Sequence, residues 1–158
     1  MRRYTASIAL VLALCCSWTT EIDSHTLTGR WQSDREPLQP SGSFERTLVF
    51  GPSDAVTVDA RSWGVYPDQR SSDLSSYTRI IGTFRTDGDG LIIQPEQLVW
   101  WDRFYGADSQ EHVVTPYPYG RVYSGAHYTI EGNRLTIHYL TYPADAPVPT
   151  TATFVRVP

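Results

Sequence analysis

His127 and His138 flank the dipeptide Gly132-Asn133 in the segment GAHYTIEGNRLTIHYL. If that dipeptide is a two-residue hairpin turn, the histidines face each other across antiparallel strands, a spacing that suits Zn or Cu. Two ligands do not make a site, and no Asp, Glu or third His completes one along the chain. The pair is therefore read as solvated surface, and no metal is expected. His25 and His112 fall in a linker and a loop. Ser, His and Asp are all present, but no spacing assembles them into a nucleophile elbow or a pair of catalytic carboxylates. The sequence DGDG (87–90) is a turn and too short for a calcium loop. No catalytic residue is assigned and no cofactor is implied, and an enzyme of unknown reaction is the third-ranked reading.

The elements that would position these side chains are strands. After the N-terminal segment there is no helix-period apolar pattern of useful length and no internal repeat. Short runs rich in β-branched and aromatic residues are separated instead by Gly, Pro, Asp and Ser clusters. Eight such runs lie at about 26–33, 43–50, 55–63, 78–86, 91–102, 120–131, 134–141 and 150–157. Pro95 is expected to kink the fifth run or place it at an edge. Trp100 and Trp101 must then point to opposite faces of that run, and Pro95 leaves open which points inward. GPSD (51–54), DGDG and Gly132-Asn133 are tight hairpin turns, whereas 34–42, 64–77, 103–119 and 142–149 are long. In an up-and-down order the tight turns share one end and the long loops the other, as in a cup.

Side-chain parity supplies the inner face. Pivoting on Gly132-Asn133 sets Glu131 opposite Arg134, Ile130 opposite Leu135 and Tyr128 opposite Ile137. Ala126, Tyr128, Ile130, Leu135, Ile137 and Tyr139 then form an apolar face, with His127, Thr129, Glu131, Arg134, Thr136 and His138 on the polar one. An antiparallel sheet with one face on a core and one on water has this pattern.

The 158 residues, 41% hydrophobic, suffice for one domain with a real core. The formal charge is −4 and every basic residue is Arg, with no basic cluster after the N-terminus, which argues against a nucleic-acid partner. The stretch MRRYTASIALVLALCCSW places two Arg before an apolar run and then small residues. That order is a secretory signal, and the run is too short to span a bilayer. The expected division is a signal peptide over 1–17, a linker over 18–25 and a barrel domain over 26–158. Cys15 and Cys16 each sit in a degenerate lipobox, LALC or ALCC. Lipidation at either, or ordinary cleavage after Cys15 or Ser17, fits the segment. The chain is expected to be exported: periplasmic, an outer-membrane lipoprotein or secreted. A membrane would be met only through such an N-terminal anchor, and the folded part has no Cys for disulfides.

With these elements in place, the chain resembles the lipocalins, or more broadly a bacterial lipocalin-like domain of the calycin superfamily. The resemblance rests on Gly29-Arg30-Trp31 in the first strand, a Gly-x-Trp motif, on Arg156 in TFVRVP, and on the eight-strand layout. It implies an all-β, eight-stranded antiparallel up-and-down barrel. It also implies that Arg156 packs across Trp31 to close the bottom, with Gly29 as part of the same structural closure. Strand order agrees independently, because the first strand starts and the last one ends at the tight-turn end.

An eight-stranded barrel either fills with side chains or holds one small ligand. Small inward residues such as Ala60, Gly82 and Ala126 leave room. The candidate ligand-binding residues are Phe84, Ala126, Tyr128 and Tyr139 inside, with Tyr105, Tyr117 and Tyr119 in the mouth loops. The leading expectation is a small hydrophobic or amphipathic ligand. The alternative is a protein-interaction module with a packed barrel, using the aromatic rim that includes Phe104 and Tyr105.

Overall fold

In the computed structural model, residues 27–105, 110–143 and 146–158 are described. The proposed signal peptide and linker, with Cys15 and Cys16, lie outside the described residues. Alternating apolar and polar residues become strands: β1 (Gly29–Gln32), β2 (Glu36–Pro37), β3 (Ser43–Phe50), β4 (Ala55–Trp63), β5 (Leu74–Asp87), β6 (Gly90–Asp102), β7 (His112–Val114), β8 (Val122–Glu131), β9 (Arg134–Thr141) and β10 (Val148–Val157). Every pairing is antiparallel. The eight main strands run in the order β1-β10-β9-β8-β6-β5-β4-β3, and β1 also pairs with β3, so the sheet closes on itself. Closure removes the unpaired edges that an open sheet would expose. The short strands β2 and β7 add to β3 and β6.

The hairpin register matches the sequence reading residue for residue: Glu131 opposite Arg134, Ile130 opposite Leu135, Tyr128 opposite Ile137. Three differences have local causes. β5 begins at Leu74, so the connection expected over 64–77 is shorter. Its first turn is held by polar groups with no apolar alternation to read: Ser76 Oγ meets Ser62 Oγ at 2.7 Å, and Ser75 Oγ accepts from Val65 N–H. The loop expected over 103–119 contains β7, too short to carry a periodic signal. The first strand ends at Gln32 and the chain resumes pairing with β3 as β2.

Pro95 lies, as expected, where β6 is kinked and, among the described residues, locally unpaired on one side, since the β8 pairing ends at Ile93 and the β7 pairing starts at Leu98. Gly82 pairs with Pro95 while Ile81 pairs with Gln97, so Glu96 is an extra residue in β6, a β-bulge. A Cβ on Gly82 would run into the Gln94 carbonyl oxygen, so this crossing requires glycine. The bulge inverts parity along β6. Ile93 faces the core before it, and Leu98 and Trp100 share the inner face after it, beside Ile80 and Thr78. Trp101 is left on the outer wall, stacked on Tyr77 at 6.3 Å.

The closed half of the barrel is packed. Trp31, Leu48, Phe50, Leu135, Ile137 and Phe154 are essentially inaccessible to solvent, and Phe84 meets Phe50 edge-on at 4.9 Å. Removing that apolar surface from water, side chain by side chain, supplies the main driving force for closure.

Candidate functional site

The floor is made by Trp31 and Arg156, direct cross-strand partners on β1 and β10. The Arg156 guanidinium carbon lies 4.1 Å from the Trp31 ring centroid, and its Nη1 donates to the Thr28 carbonyl at 2.6 Å. The indole Nε1 donates to the Leu27 carbonyl at 2.7 Å. The ring is thereby satisfied at its one polar atom and covered by a cation. Gly29, Trp31 and Arg156 form one structural unit.

Above the packed floor lies a layer of different chemistry. Arg46 lies on the same side of β3 as Leu48 and Phe50, so its guanidinium enters the barrel. Nη1 donates to the Tyr139 hydroxyl at 3.2 Å, and the guanidinium carbon lies 5.9 Å from the Phe154 ring. Tyr123 meets Tyr139 edge-on at 4.7 Å and lies within the electrostatic reach of Arg46. Burial pushes the Tyr123 phenol up to about 12, against the opposing pull of Arg46. For Arg46 burial works against the charge, but Tyr123, Tyr139 and Glu36 outweigh it and raise the guanidinium above its ordinary value. The cation therefore persists and the phenol stays protonated at neutral pH.

At the open end, a cavity of about 260 Å³ is lined by Thr78, Ile80, Leu98 and Trp100 of the inner wall, by Ser76, Tyr77, Trp101 and Asp102 where β5 and β6 reach the rim, and by Tyr117 and Tyr119. The bulge helps build it. The Glu96 carbonyl accepts from Tyr117 N–H at 2.8 Å, and Gln97 Nε2 donates to Thr115 Oγ1 at 3.1 Å. These bonds pin the segment before β8 over the cavity. Burial, followed by Tyr119, pushes the Tyr117 phenol up. His112 stacks on Trp100 at 4.2 Å. A second recess, about 330 Å³, opens between β6 and β8 where their register shifts, lined by Leu91, Ile93, Val122, Tyr123 and Ala126 among others.

The candidate residues are thus split between levels. Tyr117 and Tyr119 meet at the mouth cavity, in edge-on contact at 5.7 Å. Tyr139 belongs to the Arg46 layer. Phe84 and Tyr128 are buried in the packed floor, and Ala126 is buried beside the recess between β6 and β8. The side chain of Tyr105 lies outside the described residues, whereas Phe104 is 75% exposed. His127 and His138 are direct cross-strand partners, but each turns to its own neighbour, Asp89 at 3.3 Å and Thr151 at 3.0 Å. Among the described residues, no three His, Cys, Asp or Glu side chains gather as metal ligands.

Sequence reasoning missed Arg46, Tyr123 and Leu98, whereas alternation along β5 already turns Ile80 inward. Arg46 was legible, because it falls on the inner parity of β3 between Phe44 and Leu48. Tyr123 was not, because the β8–β9 register shifts between Ser124 and His127 and parity fails there. No protein-family model matches the chain, and no curated protein is significantly similar to it.

Proposed function

We propose that this protein is an exported, lipocalin-like barrel that takes up a small hydrophobic or amphipathic molecule at its open end. The observation that carries the reading is the mouth cavity of about 260 Å³, walled by Ile80, Leu98 and Trp100 and covered by Tyr117 and Tyr119. The wall mixes apolar side chains with the hydroxyls of Ser76 and Thr78 and the Asp102 carboxylate, a lining suited to an amphipathic molecule, and barrels of this size accommodate one small ligand. The floor is filled by Phe84, Tyr128 and their neighbours, so the ligand lies nearer the mouth than the sequence suggested. Kinship with the lipocalins is supported by the Gly29-x-Trp31 motif, the Arg156 stack on Trp31 and the closed eight-strand order. Export rests on the leader pattern over 1–17.

Because Trp100 lines the cavity, a panel of fatty acids and aromatic lipophiles should perturb Trp fluorescence saturably. Thr78→Trp, which fills the cavity from a strand position, should block the response while the protein stays folded. A folded wild type that binds none of the panel overturns the carrier reading.

A second reading is favoured by the rim, where Phe104, Tyr119 and Tyr142 are 75%, 67% and 54% exposed. Aromatic side chains left in water around an opening suit a protein partner. Under this reading Phe104→Ala with Tyr142→Ala abolishes partner capture and Thr78→Trp does not. Under the carrier reading the rim pair is dispensable for uptake.

A further inference from the structure

We propose that the mouth cavity takes an organic cation of the alkylated-ammonium class, its head group held between aromatic rings and the Asp102 carboxylate and its apolar part turned inward. The proposal rests on the carrier reading above and narrows it to one chemical class of ligand.

The first observation is the make-up of the lining. Tyr77, Trp100, Trp101, Tyr117 and Tyr119 supply five of its ten residues. Their rings are closely set. Tyr77 and Trp101 stack at 6.3 Å, Tyr117 and Tyr119 meet edge-on at 5.7 Å, and His112 stacks on Trp100 from outside the lining. The face of an aromatic ring is electrostatically negative, and several rings around one space form a cage that suits a weakly hydrated ammonium.

The second observation is the sign of the charge. Among the described residues that line the cavity, Asp102 is the one with a formal charge, and it is negative. Its Oδ1 accepts from the Tyr66 hydroxyl at 2.6 Å and from Phe104 N–H at 2.8 Å, so two neutral donors hold the carboxylate in place. The neighbouring cation, Arg103, turns to Asp68 at 3.1 Å. A carboxylate among ring faces repels an organic acid and gives a neutral molecule no advantage. A cation gains from both at once. The chain's formal charge of −4 favours the same encounter.

The third observation is order along the strands. After the bulge, Asp102, Trp100 and Leu98 share the inner face of β6, opposite Ser76, Thr78 and Ile80 of β5. From the rim inward the β6 lining thus passes from a carboxylate through an indole to an aliphatic side chain. Leu98 is buried and Ile80 packs against the core. At about 3.4 Å per residue, Asp102 and Leu98 stand about 14 Å apart along the strand. A molecule with a cationic head and a short alkyl chain matches that gradient lengthwise.

Calorimetric titration of the folded wild type with octyltrimethylammonium, 1-octanol and octanoate tests this directly. The cation should bind at least roughly tenfold more tightly than the alcohol, as expected for a cation desolvated among rings, and the acid weakest. Asp102→Asn keeps an oxygen for Tyr66 and for Phe104 N–H but removes the charge, so it should cut the cation's advantage several-fold. Trp101→Leu, which removes one ring of the cage, should also cut it and decides the matter if Asp102→Asn does not fold. Equal binding of cation and alcohol overturns the cation site and leaves the carrier reading standing. Preference for the acid, or a cation preference undiminished in the folded variants, overturns the site as well. Binding of none of the three overturns both.

Discussion

Arg156 and Trp31 face each other in register across β10 and β1, and the guanidinium carbon rests 4.1 Å from the indole centroid. This contact joins the last strand to the first at the point where the barrel closes. Trp31→Ala should therefore cost about 3–5 kcal/mol, as large core truncations do. Arg156→Ala should cost less, about 1–2 kcal/mol from the lost ring contact plus its bond to Thr28. Denaturant unfolding of both singles and the double should show non-additivity. A double loss equal to the sum of the singles would falsify the coupling.

Gly29 makes that stack sterically feasible. Its φ is +128°, and a Cβ there would sit 2.9 Å from Arg156 Nη1. Gly29→Ala should destabilise by about 1–3 kcal/mol, combining backbone strain with the clash. In an Arg156→Ala background the clash is gone and the strain remains, so the penalty should shrink without vanishing. Thermal melts of the four proteins check this.

Tyr123 makes stability sensitive to alkali. Its folded-state phenol is pushed up to about 12, above its ordinary value near 10, chiefly by burial. The contribution is fully present below the unfolded value and is lost as pH rises from there through the folded one. The loss should approach about 3 kcal/mol, since each unit of difference is worth about 1.4 kcal/mol. Tyr123→Phe should flatten the stability profile over that window relative to wild type. Parallel profiles would mean that Tyr123 does not titrate differently in the two states.

His127 and His138 are surface partners with separate neighbours. Replacing both by Ala should change stability by less than about 0.5 kcal/mol and leave zinc retention unaltered. Stoichiometric zinc in purified protein, lost in the double variant, would contradict this.

The N-terminal proposal is read by intact mass on protein from its native host. The mature chain should start between Cys15 and Trp18. A lipid-sized excess on Cys15 or Cys16 establishes an anchor, and an unmodified mature N-terminus rules it out.

Most of the wall was legible in the chain, because its information is local. Period-two alternation, β-branched runs and Gly or Asp turns specify strands and hairpins within a few residues, hence the exact register about Gly132-Asn133. The meeting of Trp31 and Arg156 was also legible, since an up-and-down order brings both to the closed end. The site was less so, because it depends on where alternation breaks. The extra residue at Glu96 inverts parity and sends Trp100 into the barrel and Trp101 out of it. The irregularity near Gly125 hides the partnership of Tyr123 with Arg46. How far the interior fills depends on side chains converging from all eight strands at once, and no stretch of one strand records that sum. The amino-acid order by itself determined the strands, the turns and the closed end. Only the tertiary structure decided that the floor is packed, that the cavity lies at the mouth and that a cation sits against Tyr139 and Phe154, because bulges shift parity and packing is a property of the closed ring.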